Sequence, residues 1–236
     1  KQCEALIRQT SHQFWVERSM LKMDKKLKKQ EAAAKLHDTT RKNMQSAKKA
    51  EPVIKKKRYI CIDLEMNELT SKERKSVKGM AGEVIQIGAV MLDENFNCIS
   101  QFASYVKPVF SHVTEEITKL TGISDETVAH ADSFSTAFYK LYSWAGKDDI
   151  TTFCWSDSDY KQLWNEIYVK AKNHDEYREF LETFADLQLA FGKRLDAEKT
   201  LSLDAAMKLC HLKFKGQRHN ALADAFNTAR ILFKMQ

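Results

Sequence analysis

Alternating apolar and polar residues mark the first predicted strand, residues 59–65, which read YICIDLE. Side chains of a strand point alternately to opposite faces, so the last Ile and Leu share one face while Asp63 and Glu65 share the other. Adjacent like charges in a half-buried setting repel each other and lose solvation, which proteins tolerate where a cation or a shared proton compensates. We therefore expect a compensating group between the two acids. Further apolar runs predict strands at residues 84–93, 96–108 and 150–154.

Helical spacing of apolar residues is frequent in the later part of the chain. The strands come first and the helices are interleaved afterwards, an order that predicts an α/β fold: a mixed central β-sheet flanked by helices on both faces. The polar segment 66–82 ends in glycines and is typical of a long flexible loop, here beside the acids. The predicted helices are residues 114–122, 133–147, 159–172, 201–212 and 220–235.

The first 50 residues contain no Pro or Gly and predict one or two amphipathic helices with a narrow apolar stripe. The stripe fits a solvated helix that rests on the body or on a neighbour, or an arm that binds nucleic acid or a partner protein. Pro52 ends the helical pattern, so we place a boundary between a basic helical extension, residues 1–57, and a second domain, residues 58–236. The stripe consists of Val16, Met20, Met23 and Leu27.

Charge is distributed unevenly between these two parts. Up to Arg58 the chain has 17 Lys and Arg against six Asp and Glu, a net charge of +11, and the remainder has 21 against 26, a net charge of −5. An acidic body that handles a polyanion needs metal ions or local basic residues at its site. The basic segment supplies nonspecific attraction for phosphates.

Five scattered cysteines without a CxxC pair indicate neither a disulfide framework nor a zinc site, so we expect a reducing compartment, the cytoplasm. The chain has no apolar run of about 18 residues and no signal-peptide pattern, so we expect no membrane association. It begins at Lys1 rather than Met, which is typical of a cropped or processed piece of a longer chain.

Two more acids and a histidine are candidates to complete the site. Asp159 ends the string CWSDSD, and Asp224 ends the string HNALAD, which begins at His219. A helix turns by roughly 100° per residue, so His219 and Asp224 would lie about 140° apart around its axis. A histidine that precedes the first turn is not bound by this geometry, and its side chain can reach the site to which Asp224 contributes from the helix. Carboxylates are hard ligands for Mg²⁺ or Mn²⁺, and imidazole can act as a base.

These residues resemble the DEDDh branch of the 3′-to-5′ exonucleases, the superfamily of ribonuclease T and the polymerase proofreading subunits, which has a ribonuclease H-like fold. The resemblance rests on Asp63-x-Glu65, a mid-chain Asp at a helix start, and His219 ahead of Asp224. The strings VIQIGAVMLD and TEEITKLTGIS are also similar to family segments, and the resemblance covers residues 59–235. For the mid-chain acid, the pattern Asp-Tyr-x-x-Leu favours Asp159, with Asp157 as the alternative.

The resemblance implies a set of roles. The four carboxylates would hold two Mg²⁺ or Mn²⁺ ions, His219 would deprotonate the attacking water, and the product would be a nucleoside 5′-monophosphate. Family members often have Thr directly after the Glu, but here Met66 follows, which predicts altered nucleotide selection. Trp155 is a base-stacking platform or a core residue, and Lys213 and its basic neighbours contact phosphates or form a solvated loop. The substrate-binding candidates are Leu64, Met66, Trp155, Lys215 and Arg218.

Two functions follow from the sequence. The first is a metal-dependent exonuclease that acts on the 3′ ends of single-stranded or 3′-overhanging RNA or DNA. The second is a nuclease-fold binding or trimming module, tethered to a polymerase or a CRISPR integrase through the helices of residues 1–50. A homodimer is a further alternative. The intact set of five site residues favours the enzyme.

Overall fold

A computed structural model describes residues 57–77, 80–146, 149–171, 175–197 and 199–236. The helices predicted within residues 1–50, and the basic extension of residues 1–57 apart from its last residue, lie outside the described residues. That last residue, Lys57, is the first residue of a strand. Within the described part of the chain, no helix is both long and apolar enough to cross a lipid bilayer.

A six-stranded mixed sheet forms the centre of the fold, in the order β4-β3-β2-β1-β5-β6. The first three strands form an antiparallel meander, and β5 runs parallel to both β1 and β6. The short strand β4 pairs with β3 in parallel. The predicted α/β class with a mixed sheet is confirmed. The strands are β1 (Lys57–Glu68), β2 (Gly82–Leu92), β3 (Cys98–Lys107), β4 (Asp132–Ser133), β5 (Asp149–Cys154) and β6 (Phe184–Asp186).

Helices cover both faces of the sheet, and all five helices predicted beyond residue 113 are present. Their starts carry ordinary caps, such as the Thr114 hydroxyl, which accepts a hydrogen bond from the Ile117 amide. The described helices are α1 (Ser71–Ser76), α2 (Glu115–Thr121), α3 (Asp125–Val128), α4 (Phe134–Ala145), α5 (Asp157–Lys170), α6 (Asp175–Leu181), α7 (Leu187–Arg194), α8 (Leu203–Leu209) and α9 (Ala221–Lys234).

The alternation along β1 separates two hydrophobic cores. Ile60 and Ile62 pack in a cluster with residues of α4, α5 and α6 on one face of the sheet. Tyr59 and Cys61 pack in a second cluster with residues of α7, α8 and α9 on the other face. Strand β2 is buried along its whole length, because helices lie against both of its faces. The sheet therefore presents the acid-bearing face of β1 to α9.

The prediction of a long flexible loop over residues 66–82 is wrong. Strand β1 continues to Glu68, and α1 follows at Ser71–Ser76. A capping box starts this helix: the Glu73 amide donates to the Thr70 hydroxyl at 3.3 Å, and the Thr70 amide donates to the Glu73 carboxylate at 2.7 Å. The apolar residues between the charges pack together in a small buried cluster of their own, which holds the segment in place. These residues are Leu69, Val77 and Met80.

Several short elements were not predicted from the sequence. Strand β6 has three residues and β4 has two, too few for an alternating pattern to show. Helices α3, α6 and α7, which are four, seven and eight residues long, were not predicted either. Strand β6 nevertheless extends the sheet beside β5, and its last residue, Asp186, caps α7 through the Leu189 amide at 2.7 Å.

Candidate active site

Three carboxylates converge where β1 meets the start of α9. Asp63, Glu65 and Asp224 each offer a carboxylate oxygen, and these oxygens all lie within 4.8 Å of one another. The first two side chains come from the same face of β1, and the third comes from the first turn of α9. The spacing in β1 therefore provides two neighbouring oxygen donors, and α9 brings a third to them across the sheet.

The mid-chain acid that joins this group is Asp159. It lies in the first turn of α5, directly after β5, and is 4% exposed. Its carboxylate accepts a backbone hydrogen bond from Leu64, the residue between Asp63 and Glu65. Asp157 has a different environment, because it forms an ion pair with Lys161 one turn further along α5, and its side chain is 25% exposed. The geometry therefore favours Asp159 over Asp157.

All four acids have a raised pKa, with burial as the largest cause. Burial first, and then the charges of Asp224 and Asp159, raise the pKa of Glu65 to about 8. Burial and the charges of Asp159, Asp224 and Glu65 raise the pKa of Asp63 well above its usual value. Burial also raises the pKa of Asp159 to about 7, against the opposing hydrogen bond from Leu64. Four oxygen donors that repel one another in a buried setting fit a divalent cation, whose charge would compensate theirs.

A fifth carboxylate, that of Asp186, is an electrostatic neighbour of Asp159. It was not predicted from the sequence. It sits at the carboxyl end of β6, next to the end of β5 from which α5 starts. Burial is the largest cause that raises its pKa, to about 6. The charge of Asp157 adds to this rise, and the hydrogen bond from the Leu189 amide opposes it. The charge of Asp186 also raises the pKa of Asp159. The sequence signal for Asp186 was an acid at a helix start, which alone does not distinguish a cap from a site residue.

His219 lies immediately before the N-cap of α9, outside the helix, as its sequence position predicts. It is exposed, and its backbone is in the left-handed region with a φ of 57°. Burial raises the pKa of Asp224, and the Asn220 amide and the charge of His219 oppose this rise. The imidazole is therefore an electrostatic neighbour of the acids, although it is not among the three residues whose ligand atoms converge.

The loop that carries His219 is held by side chains of α9. The buried carboxamide of Asn227 accepts a hydrogen bond from the Lys215 amide at 3.1 Å and donates to the Lys215 carbonyl at 2.8 Å. Arg230 donates to the Lys213 carbonyl at 2.6 Å. These polar residues of α9 were not predicted to matter, because their partners are backbone groups that a sequence pattern does not show.

The predicted substrate residues Trp155 and Leu64 are core residues. Trp155 is 7% exposed, its indole nitrogen donates to the Leu201 carbonyl at 3.1 Å, and its ring packs beside Phe191. The structure corrects the alternative of a base-stacking platform, because the side chain is buried. The Leu64 side chain is buried in the hydrophobic cluster of β1, α4 and α5, so only its backbone faces the acids. Met66 packs against the same cluster and is partly buried.

The basic candidates Lys215 and Arg218 are exposed on the loop before α9. The guanidinium of Arg218 forms a bidentate ion pair with Asp204 of α8, with N–O distances of 2.8 and 3.0 Å, and lies 4.6 Å from the centre of the Phe214 ring. The ammonium of Lys215 lies 5.9 Å from the centre of the Phe226 ring. Arg218 is therefore already paired within the protein, whereas the Lys215 ammonium faces solvent beside a ring.

Comparison with known proteins identifies the family. The RNase_T exonuclease family model matches residues 60–232. The chain belongs to this exonuclease family. This match, which covers the strands, the helices and all four acids, confirms the resemblance to DEDDh exonucleases that the sequence motifs indicated.

This exonuclease-family chain is similar to one curated protein in sequence and to solved exonuclease structures in fold. The rat (Rattus norvegicus) protein 3′-5′ exoribonuclease 1 is 24% identical over 190 residues, which are 75% of this chain and 52% of the rat protein. The chain thus spans about half the length of that relative. The nuclease domain of 3′hExo, a DEDDh family member bound to rAMP, matches with a TM-score of 0.62 and 20% identity over 79% of this chain and 94% of that one. A 3′-exonuclease solved for its 3′-end specific recognition of the histone mRNA stem-loop matches with a TM-score of 0.60 and 18% identity over 77% and 82%.

Proposed function

We propose that this chain is a 3′-to-5′ exonuclease that hydrolyses the terminal phosphodiester bond of nucleic acid. The observation that carries the proposal is the convergence of carboxylate oxygens from Asp63, Glu65 and Asp224 within 4.8 Å, with Asp159 attached to the same strand. Hydrolysis of a phosphodiester requires charge stabilisation around a pentavalent phosphorus, which a carboxylate-bound cation site can provide. Family membership supports the same reaction.

The four carboxylates would hold two divalent ions, Mg²⁺ or Mn²⁺. Their oxygens are the hard donors that both ions prefer, and their raised pKa values indicate a site that lacks a compensating positive charge of its own. When bound, such ions supply an activated water and stabilise charge on the leaving 3′ oxygen. Asp159 would be held ready for this role by the Leu64 amide, which fixes its carboxylate against β1.

His219 would act as the general base. The residue lies on the loop that enters α9, is accessible to solvent, and influences Asp224 electrostatically. Imidazole is the most frequent general base in enzymes, so His219 would accept a proton from the attacking water. Attack of that water on the terminal phosphate leaves a nucleoside 5′-monophosphate and a chain shortened by one nucleotide.

The substrate would be the 3′ end of single-stranded or 3′-overhanging nucleic acid, with RNA preferred. The relatives support RNA, because one is named as an exoribonuclease and two are described with rAMP or with an mRNA stem-loop. Residues 58–236 would form the exonuclease domain. Residues 1–57 would be a basic extension that attracts phosphates or docks a partner protein, since the net charge of +11 up to Arg58 contrasts with −5 for the remainder.

Digestion of matched RNA and DNA oligonucleotides tests the proposal. Single strands labelled at the 3′ or 5′ end are incubated with Mg²⁺, Mn²⁺, Ca²⁺ or EDTA, and the His219→Ala variant is assayed in parallel. We expect Mg²⁺- or Mn²⁺-dependent release of mononucleotides from the 3′ end, faster on RNA and greatly reduced in the variant. Intact oligonucleotides in every lane, together with retained binding, would replace this proposal with the tethered binding module.

Deletion of residues 1–50 tests the role of the basic extension. Loss of its cations should weaken binding to single strands and flatten the dependence of affinity on salt concentration, because fewer counterions are released. The rate of cleavage at saturating substrate should stay the same. Unchanged salt dependence would instead favour a protein partner for this segment.

A further inference from the structure

Two residues of strand β2 lie opposite the two acids of β1 and contact the start of helix α9. In the antiparallel register, Asp63 pairs with Gly88 and Glu65 pairs with Gln86. Residues paired across neighbouring antiparallel strands share a face of the sheet, so Gly88 and Gln86 lie on the face that α9 covers. The position of α9, and hence of Asp224, is therefore set by β2 as well as by the core beneath the helix.

Gly88 allows the start of α9 to touch the sheet. A methyl group at this position would lie 2.1 Å from the Leu222 amide nitrogen and 2.5 Å from the Ala221 carbonyl oxygen. Distances this short cannot be relieved by a rotating side chain, because both atoms belong to the backbone of the helix. The absence of a side chain at position 88 thus brings the helix start within contact of the strand that flanks Asp63.

Gln86 fixes the same helix start through a hydrogen bond. Its carboxamide oxygen accepts from the Ala221 amide at 2.9 Å, and both residues are buried. Ala221 is the first residue of α9, whose amide has no partner within the helix. Leaving this buried amide without an acceptor would cost free energy, so the hydrogen bond holds the start of the helix at Gln86. Asp224 lies one helical turn after Ala221.

We propose that Gln86 is a positioning residue for the metal site: by anchoring the first amide of α9, it sets the distance of Asp224 from Asp63 and Glu65. This inference rests on the proposed function and assigns a role to a residue that would touch neither metal nor substrate. A carboxamide suits the task because it offers an oxygen acceptor without adding a further charge beside four carboxylates. Partners that orient metal ligands typically change metal affinity by 10–100-fold when they are mutated.

Titration with Mn²⁺ alone tests the proposal without relying on catalysis. The free Mn²⁺ signal in electron paramagnetic resonance gives the affinity of the wild-type protein and of Gln86→Met, which keeps the length of the side chain but lacks its amide oxygen. We expect Gln86→Met to bind Mn²⁺ about tenfold more weakly, in line with lost orientation of one ligand. Gln86→Glu keeps an oxygen acceptor of the same reach, and its added negative charge attracts a cation, so it should bind Mn²⁺ at least as well as wild type.

Thr152→Val is the matched control for a general loss of stability. Thr152 is also buried in the sheet, on β5 beyond β1, and its hydroxyl shares a hydrogen bond with that of Thr183 at 2.8 Å, away from α9. This variant should lose thermal stability but keep wild-type Mn²⁺ affinity. Wild-type affinity in Gln86→Met, an equal loss in Gln86→Glu, or an equal loss in Thr152→Val would each overturn the positioning role.

Failure of the proposed function has a separate signature. If the wild-type protein binds Mn²⁺ and releases no nucleotide, while Gln86→Met still weakens Mn²⁺ binding, the positioning role stands and exonuclease activity does not. If the wild-type protein cleaves and Gln86→Met binds Mn²⁺ normally, only the positioning role fails.

Discussion

The backbone amide of Leu64 donates a hydrogen bond to the carboxylate of Asp159, so the fourth acid is attached to β1 between Asp63 and Glu65. The hydrogen bond holds the carboxylate against β1. It also explains how Asp159, rather than the nearby Asp157, comes to belong to the acid group.

Replacement of Asp159 by Asn should abolish metal-dependent cleavage. The amide keeps an oxygen acceptor for Leu64 but removes a charged ligand, so we expect at least a roughly hundredfold loss of kcat, beyond the range for residues that only support a ligand. Asp157→Asn is the control, because Asp157 is paired with exposed Lys161, and such surface pairs contribute about 1 kcal/mol or less. Cleavage that depends on Asp157 and survives Asp159→Asn would reverse the assignment.

Without metal, the protein should become less stable as the pH rises. Glu65 has an ordinary pKa of 4.5 and a folded pKa of about 8, so the folded state binds more protons than the unfolded state between these values. Stability is then greatest below the ordinary pKa and falls as the pH rises through this window, because the slope follows the difference in bound protons. Asp159 acts in the same direction up to about pH 7.

Thermal unfolding at pH 5.5 and pH 8 measures this effect. We expect a higher Tm at pH 5.5 in EDTA, and a smaller difference between the two pH values in the presence of Mg²⁺, whose charge compensates the acids. Glu65→Gln should reduce the difference in EDTA. A Tm in EDTA that is higher at pH 8 than at pH 5.5 would contradict the raised pKa values of the acid group.

His219→Gln should slow cleavage without weakening metal binding. His219 is exposed and stands outside the group of converging ligand oxygens, so its loss removes a base and leaves the carboxylates unchanged. General bases contribute typically 10²–10⁴-fold, so kcat should fall by about that factor while Mn²⁺ affinity stays within twofold or so. His112→Gln serves as control, since this exposed histidine pairs with Asp125 at 3.0 Å. A parallel loss of Mn²⁺ affinity would make His219 a ligand.

Arg218→Ala and Asp204→Ala should have similar, small effects on KM. The guanidinium is paired with Asp204 and lies over the Phe214 ring. We therefore expect it to order the loop before His219 rather than to bind a substrate phosphate. KM for single strands measured across salt concentrations distinguishes these roles. A phosphate contact by Arg218 would lower the slope of log affinity against log salt by about 1 in Arg218→Ala alone.

Much of the architecture could be predicted from the sequence because it depends on periodicity. The alternation along residues 59–65 placed Ile62 and Leu64 on one face and Asp63 and Glu65 on the other, and helical spacing located five helices. The acids and His219 were recognisable because their spacing matches a family pattern. The ordered structure of segment 66–82 was not predicted, because its three buried apolar residues are spread among charged ones. These three residues pack against one another within the segment.

The sequence by itself determined which residues are candidates for the chemistry, since residue type and spacing along one element are local properties. Only the tertiary structure decided how they meet: Asp224 reaches Asp63 because Gly88 lacks a side chain, and the Gln86 oxygen holds the Ala221 amide across 135 residues of chain. Tertiary packing also decided that Trp155 is a core residue and that Arg218 is paired with Asp204. Such contacts join residues far apart in the chain, and their energy depends on distance and burial, which exist only after the chain has folded.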